Sequence, residues 1–149
     1  GADNISGYGG NDILGGHNAS VSDGDYDNDI LYGGAGNDIL YGTAGANMMD
    51  GGTGQDNMTG GNGNDTFIIR SGDGGSALTD ADIIMDYQDG TDVFGLSGGL
   101  AFDDLTIAQG SGSNSSHTTI RITSSGEYLA IVKNISASNI SEADFSILN

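Results

Sequence analysis

Residues 33–68 divide into four consecutive nonapeptides, GGAGNDILY, GTAGANMMD, GGTGQDNMT and GGNGNDTFI, and a repeat at so short a fixed period restricts the chain to a stack of like units. Glycine stands first in every unit (Gly33, Gly42, Gly51, Gly60) and fourth (Gly36, Gly45, Gly54, Gly63). A short carboxylate or amide stands sixth (Asp38, Asn47, Asp56, Asp65), and a large apolar residue eighth (Leu40, Met49, Met58, Phe67). Two or three glycines in six residues make an irregular turn, because glycine tolerates positive φ and the close passage of another strand. The eighth residue, flanked by residues pointing the other way, is one inward position of a very short strand. A unit with one large side chain cannot bury it alone, so the units stack and the sixth-position side chains recur along the edges of the stack. Such a row of carboxylates repels itself unless a cation sits in it. Carboxylates and the carbonyls of glycine-rich turns, here those at Gly36, Gly45, Gly54 and Gly63, are hard oxygen donors that select Ca²⁺ over softer metals.

The unit GGAGNDILY matches G-G-x-G-x-D-x-U-x at every fixed position. The chain resembles a hemolysin-type (RTX) calcium-binding domain and is similar to the C-terminal region of serralysin-type metalloproteases. The resemblance implies an all-β fold built on a parallel β-roll, in which successive strands alternate between two facing sheets and two nonapeptides make one coil. It also implies several calcium ions lying between turns on the same side, bridging repeat n and repeat n+2. On that register Asp29 pairs with Asn47 and Asn47 with Asp65 on one edge, while Asp38 pairs with Asp56 on the other. The neutral amide of Asn47 is expected to weaken the sites it joins, since ligand charge tunes calcium affinity.

The pattern reaches back to the first residues. Residues 1–6 read as positions four to nine of a unit, with Asp3 sixth, so the chain is expected to be a fragment of something longer. Residues 7–15, GYGGNDILG, place Asp12 sixth, and residues 24–32, GDYDNDILY, place Asp29 sixth with Asp27 where the fourth glycine would be. Between them, residues 16–23 are one short of a unit. They read as a degenerate unit that keeps the two-sided alternation, with Val21 as its apolar residue, or else as a surface loop that carries a solvated His17. Asp23, Asp25 and Asp27 imitate the opening of an EF-hand loop, but Asn28 and Gly34 stand where that loop needs Gly and Glu. They are kept as candidate calcium ligands outside the regular row.

Beyond Arg70 the period changes. Residues 82–96 read as a strand, a turn at Asp89 and Gly90, and a second strand. They resemble the D-x-I-x-D-F-x-x-G-x-D-x-x-x-L segment that follows the roll in RTX proteins, with Tyr87 in place of Phe. Asp82, Asp86, Asp89 and Asp92 read either as ligands of one more calcium or as turn residues on a solvated face. Residues 105–108, 119–123 and 128–132 are strand candidates spaced like an antiparallel meander, with Ile120, Ile122, Leu129 and Ile131 as core candidates. An open roll end exposes strand edges and apolar residues such as Phe67, so this half is expected to cap the roll. The division is therefore a roll over 1–68 and an antiparallel β cap over 69–149. The closing stretch with Asp144 and Phe145 resembles the serralysin-type C-terminus, which by that resemblance contains a type I secretion signal.

Composition narrows the function. With 28 Gly, no Pro and 7% aromatic residues, the 149-residue chain is one of turns and thin strands. Its formal charge is −18, with ten Asp and no Lys or Arg before Arg70. Nucleic acid and anionic membrane, which need basic surface, are excluded as direct partners; divalent cations are favoured. There is no Cys, so disulfides are absent, and no apolar run is long enough to span a membrane. The G-x-S-x-G string around Ser97, followed by Asp103 and His117, lacks the helix a nucleophile elbow requires. Two His and no Cys do not make a zinc site. No catalytic residue is expected. The leading expectation is a non-enzymatic calcium-binding module at the C-terminus of a larger exported bacterial protein, secreted or at the cell surface. It would be unfolded in low cytosolic calcium and folded by external calcium, with calcium and type I secretion machinery as partners. A self-assembling structural or adhesive module and a carbohydrate-binding module of a polysaccharide-modifying enzyme are the alternatives.

Overall fold

The computed structural model describes residues 1–16 and 27–148. Each apolar eighth position is the second residue of its own strand. The strands of the repeats are β1 (Asn4–Gly9), β2 (Ile13–Gly15), β3 (Ile30–Ala35), β4 (Ile39–Tyr41), β5 (Met48–Thr53), β6 (Asn57–Thr59) and β7 (Thr66–Arg70). Odd-numbered strands lie side by side in one sheet and even-numbered strands in the other, all parallel, with Ile30 beside Met48 and Leu40 beside Met58. That 18-residue offset is two nonapeptides, one full coil of a parallel β-roll.

The register stacks like on like. One inward column runs Leu31, Met49, Phe67; the facing column runs Leu14, Leu40, Met58. All six are buried in a single core. At about 1.5–3 kcal/mol for each fully buried large apolar side chain, these columns are the main attractive force between coils. Residues on either side, such as Tyr32 and Tyr41, face solvent.

Both sheets run on past Ile68. β8 (Asp82–Ile84) adds to the even sheet beside β6, and β9 (Val93–Ser97) adds to the odd sheet beside β7, again parallel. The expected strand, turn and second strand are thus present, with Gly90 at φ +76° in the turn, but the two strands do not pair with each other. Ile84 continues one inward column and Phe94 the other. The reason is that Ile84 and Phe94 are separated by a connection of roll-like length, so each finds a like column to extend.

The even sheet then turns antiparallel. β10 (Leu105–Gln109), β11 (Thr118–Ile122) and β12 (Tyr128–Val132) form a meander, with β12 laid parallel against the free edge of β8. Ile120, Ile122 and Leu129 enter the common core; Ile131 is buried but outside that cluster. β13 (Phe145–Ile147) closes the odd sheet, parallel to β9, and Phe145 stacks on Phe94 at 5.1 Å. The fold is therefore the expected β-roll with an antiparallel cap.

β1 pairs directly with β3 and β2 with β4, at an offset of 26 residues where the later coils have 18. The two readings of residues 16–23, as a degenerate unit or as a surface loop, fall, Gly16 apart, on residues outside those described. His17, Val21, Asp23 and Asp25 themselves lie outside the described residues. Among the described residues no helix is long and apolar enough to cross a membrane.

Candidate metal centre

The turns place the sixth-position side chains in two rows. One row is Asp12, Asp38, Asp56, Asp82; the other is Asp3, Asp29, Asn47, Asp65, Asp92. In each, Oδ1 accepts the backbone N–H of the sixth residue one coil earlier: Asp12 to Asp38 at 2.7 Å, Asp38 to Asp56 at 2.7 Å, Asp56 to Asp82 at 3.0 Å. The second row repeats this from Asp3 to Asp29 at 2.7 Å, Asp29 to Asn47 at 3.0 Å, Asn47 to Asp65 at 2.9 Å, and Asp65 to Asp92 at 3.0 Å. One carboxylate oxygen per residue thus serves as a staple between coils.

The other oxygen is what marks a cation site. Oδ2 of Asp12, Asp38, Asp56 and Asp65 is buried with no hydrogen-bond partner, and Asp38, Asp56 and Asp65 are 1, 0 and 1% exposed. A buried carboxylate oxygen left unmatched is costly, and coordination by a metal ion removes that cost. Burial raises the pKa of Asp65, Asp82 and Asp92 and lifts that of Asp56 to about 6, with the neighbouring Asp38 adding to the last. Charge in these rows therefore calls for a counter-ion.

Glycine makes the rest of the site. Gly36, Gly45, Gly54 and Gly63 all sit at φ between +109° and +134°. A Cβ on Gly36, Gly54 or Gly63 would strike the carbonyl oxygen of Gly10, Gly36 or Gly45, respectively, one coil away. Those carbonyls stack along the turns from coil to coil. Among the described residues no three His, Cys, Asp or Glu side chains converge; the oxygens that the rows and turns present are carboxylates and main-chain carbonyls. That all-oxygen donor set fits calcium.

Among the described residues Asp82, Asp86, Asp89 and Asp92 do not form one cluster. Asp82 ends the first row and Asp92 the second, where Asp92 Oδ2 also accepts the Gln88 N–H at 2.8 Å. Asp86 accepts the N–H groups of Gly60 and Gly61, both at 2.8 Å, and so locks a turn of the roll. Asp89 is exposed and meets Asn139 Nδ2 at 3.2 Å. Asp27 is half-buried, ahead of Asp29. Ser97 ends β9 and is followed by Gly98 and Gly99 at positive φ, not by a helix.

Two pairings escaped the sequence reading. Asp50, ninth in its unit, faces outward on β5 yet is buried, paired with Arg70, whose Nε lies 3.2 Å from Asp73. A carboxylate where the other three units of residues 33–68 carry Tyr, Thr or Ile, with a single Lys or Arg before residue 121, was the available signal. Asp144 is buried and accepts the Tyr87 hydroxyl at 2.7 Å; burial and this bond hold the phenol well above its ordinary pKa.

Residues 1–18, 23–58 and 41–75 match the RTX calcium-binding nonapeptide repeat in four copies. The chain carries an RTX calcium-binding repeat domain. No curated protein sequence matches it. Among solved structures, the RTX roll and its cap are similar to the AlgE6R3 subunit of the mannuronan C5-epimerase of Azotobacter vinelandii. The TM-score is 0.63 at 24% identity, over 91% of this chain and 78% of that one. They are likewise similar to the AlgE6R2 subunit, with a TM-score of 0.62 at 24% identity, over 99% and 92%. At that identity the likeness is one of fold.

Proposed function

We propose that this RTX module is a calcium-dependent folding domain of a larger exported bacterial protein, without catalytic function of its own. The observation that supports it is the double row of stapled side chains in which the second oxygens of Asp12, Asp38, Asp56 and Asp65 are buried and unmatched. In low calcium the mutual repulsion of these groups, within a chain of charge −18, opposes compaction and leaves the chain threadable by a secretion machine. In external calcium, Asp12, Asp38, Asp56 and Asp82 on one edge, and Asp29, Asp65 and Asp92 on the other, would hold the ions with the glycine carbonyls of the turns. Bound calcium supplies the positive charge that allows coils to close, so that binding free energy becomes folding free energy. Circular dichroism during a calcium titration after chelation tests this. β content should rise with calcium, and a native-like β spectrum in chelator would overturn the reading.

The shared fold with subunits named for a mannuronan C5-epimerase favours a second reading, a module appended to a polysaccharide-modifying enzyme. A polyuronate would meet like charge here, so calcium would have to bridge it. Calorimetry with polymannuronate should then show binding in calcium and none in chelator; no binding in calcium would end this alternative.

A further inference from the structure

In the second row, Asn47 interrupts a chain of aspartates at a position only 1% exposed. Its Oδ1 accepts the Asp29 N–H at 3.0 Å, the same bond an aspartate makes there. Its Nδ2 occupies the place where the neighbours present the unmatched Oδ2. A Cβ built on the first-position glycine of each unit meets Oδ2 of Asp38, Asp56 or Asp65, whereas one on Gly42 meets Nδ2 of Asn47 at 2.8 Å. That Nδ2 donates to Asp65 Oδ1 at 3.1 Å and to the Gly45 carbonyl at 3.4 Å. These are a row carboxylate and a turn carbonyl, the two kinds of oxygen a cation would bridge on this edge.

The amide cannot be turned round to offer its oxygen. Reversal would set Nδ2 against the Asp29 N–H, donor to donor, and Oδ1 against the Asp65 carboxylate, acceptor to acceptor. We infer that the rung between Asn47 and Asp65 is closed by the Asn47 amide in place of a cation, so the two edges of the roll hold calcium unequally. The interruption is confined to that rung, because Asp65 Oδ2 remains buried and unmatched and the next staple, to Asp92, is intact. The rung needs no calcium to close and gives the array a fixed metal-free link amid metal-dependent ones.

This inference rests on the calcium reading of both rows, and ion counting separates the two. Native mass spectrometry of the full chain at saturating calcium gives the number of ions bound. Asn47→Asp should bind one more ion than the wild type. Asp56→Asn, which places an amide between Asp38 and Asp82 in the uninterrupted row, should bind one fewer. An unchanged count for Asn47→Asp would overturn the inference while leaving calcium binding intact. A wild type that binds no calcium would instead overturn the reading of the rows, and the inference with it. Should Asn47→Asp fail to fold, Asp56→Asn decides alone: loss of one ion supports the amide closure, and an unchanged count overturns it.

Discussion

The second position of the nonapeptide requires a left-handed backbone, and the chain does not always meet it with glycine. Gly34, Gly52 and Gly61 take φ of +112°, +90° and +93°, but Thr43 takes +78° and Tyr8 +72° in the same place. For a β-branched residue this is an outlier costing on the order of 1–2 kcal/mol. Thr43→Gly should relieve it, less the roughly 0.5–1 kcal/mol of extra chain entropy that glycine brings. A gain of up to about 1 kcal/mol is expected, read as a higher thermal midpoint in calcium. Gly61→Ala should act in the opposite sense. Its Cβ would strike the Thr43 carbonyl oxygen, so a loss of roughly 2 kcal/mol or more is expected, from backbone strain and overlap together. Neither cost can be read from composition, since one depends on a local backbone angle and the other on the coil one turn away.

The elements past the repeats are held by single buried contacts between segments distant in the chain. Tyr87, in the connection between β8 and β9, stacks on Phe94 at 4.6 Å and donates to Asp144, in the turn before β13. Asp144 also accepts the Ser141 N–H at 2.7 Å and its hydroxyl at 3.1 Å. Tyr87→Phe keeps the stack and removes one donor from a buried carboxylate, which costs about 1–3 kcal/mol. Denaturant unfolding in calcium should show that loss, with the number of bound ions unchanged. The resemblance to the post-roll segment made this position conspicuous, because Tyr stands where Phe was expected. Its partner 57 residues away could not be inferred from spacing.

Over the whole molecule, roll and cap share one core, and the roll should not hold without its cover. A chain ending at residue 77 would lose β8 and β9, leaving Met58 and Phe67 at an open end with the edges of β6 and β7 unpaired. Such a chain should show little calcium-induced β structure at concentrations that fold residues 1–149. Equal folding would mean that 78–149 contributes nothing to the roll. Proton linkage should also run in opposite senses with and without metal. Asp56 and Asp73 are raised to about 6, chiefly by burial, against an unfolded value near 4. The metal-free fold thus binds more protons than the unfolded chain, so its stability is greatest at low pH and falls as pH rises through about 6. In calcium the protons compete with the ion, so the calcium midpoint should rise as pH falls through the same window. Dichroism in chelator at pH 5 and 7.5, beside calcium titrations at both, checks the two signs.

By itself the sequence determined the period, the inward eighth positions from Leu14 to Phe67 and the oxygen-only donor set; their division into two columns, with Asp38 paired to Asp56 and Asn47 to its neighbours, was implied by the resemblance to the RTX roll. These are properties of a nine-residue unit that every coil repeats, so position in the unit suffices to place a residue. Only the tertiary structure decided what depends on contacts between unlike segments. Asp82 and Asp92 part to opposite edges, and Asp86 locks Gly60 and Gly61. Asp50 is buried by Arg70 twenty residues on. In each case the partner lies outside the repeat or in another coil, and its position is fixed by how the columns stack.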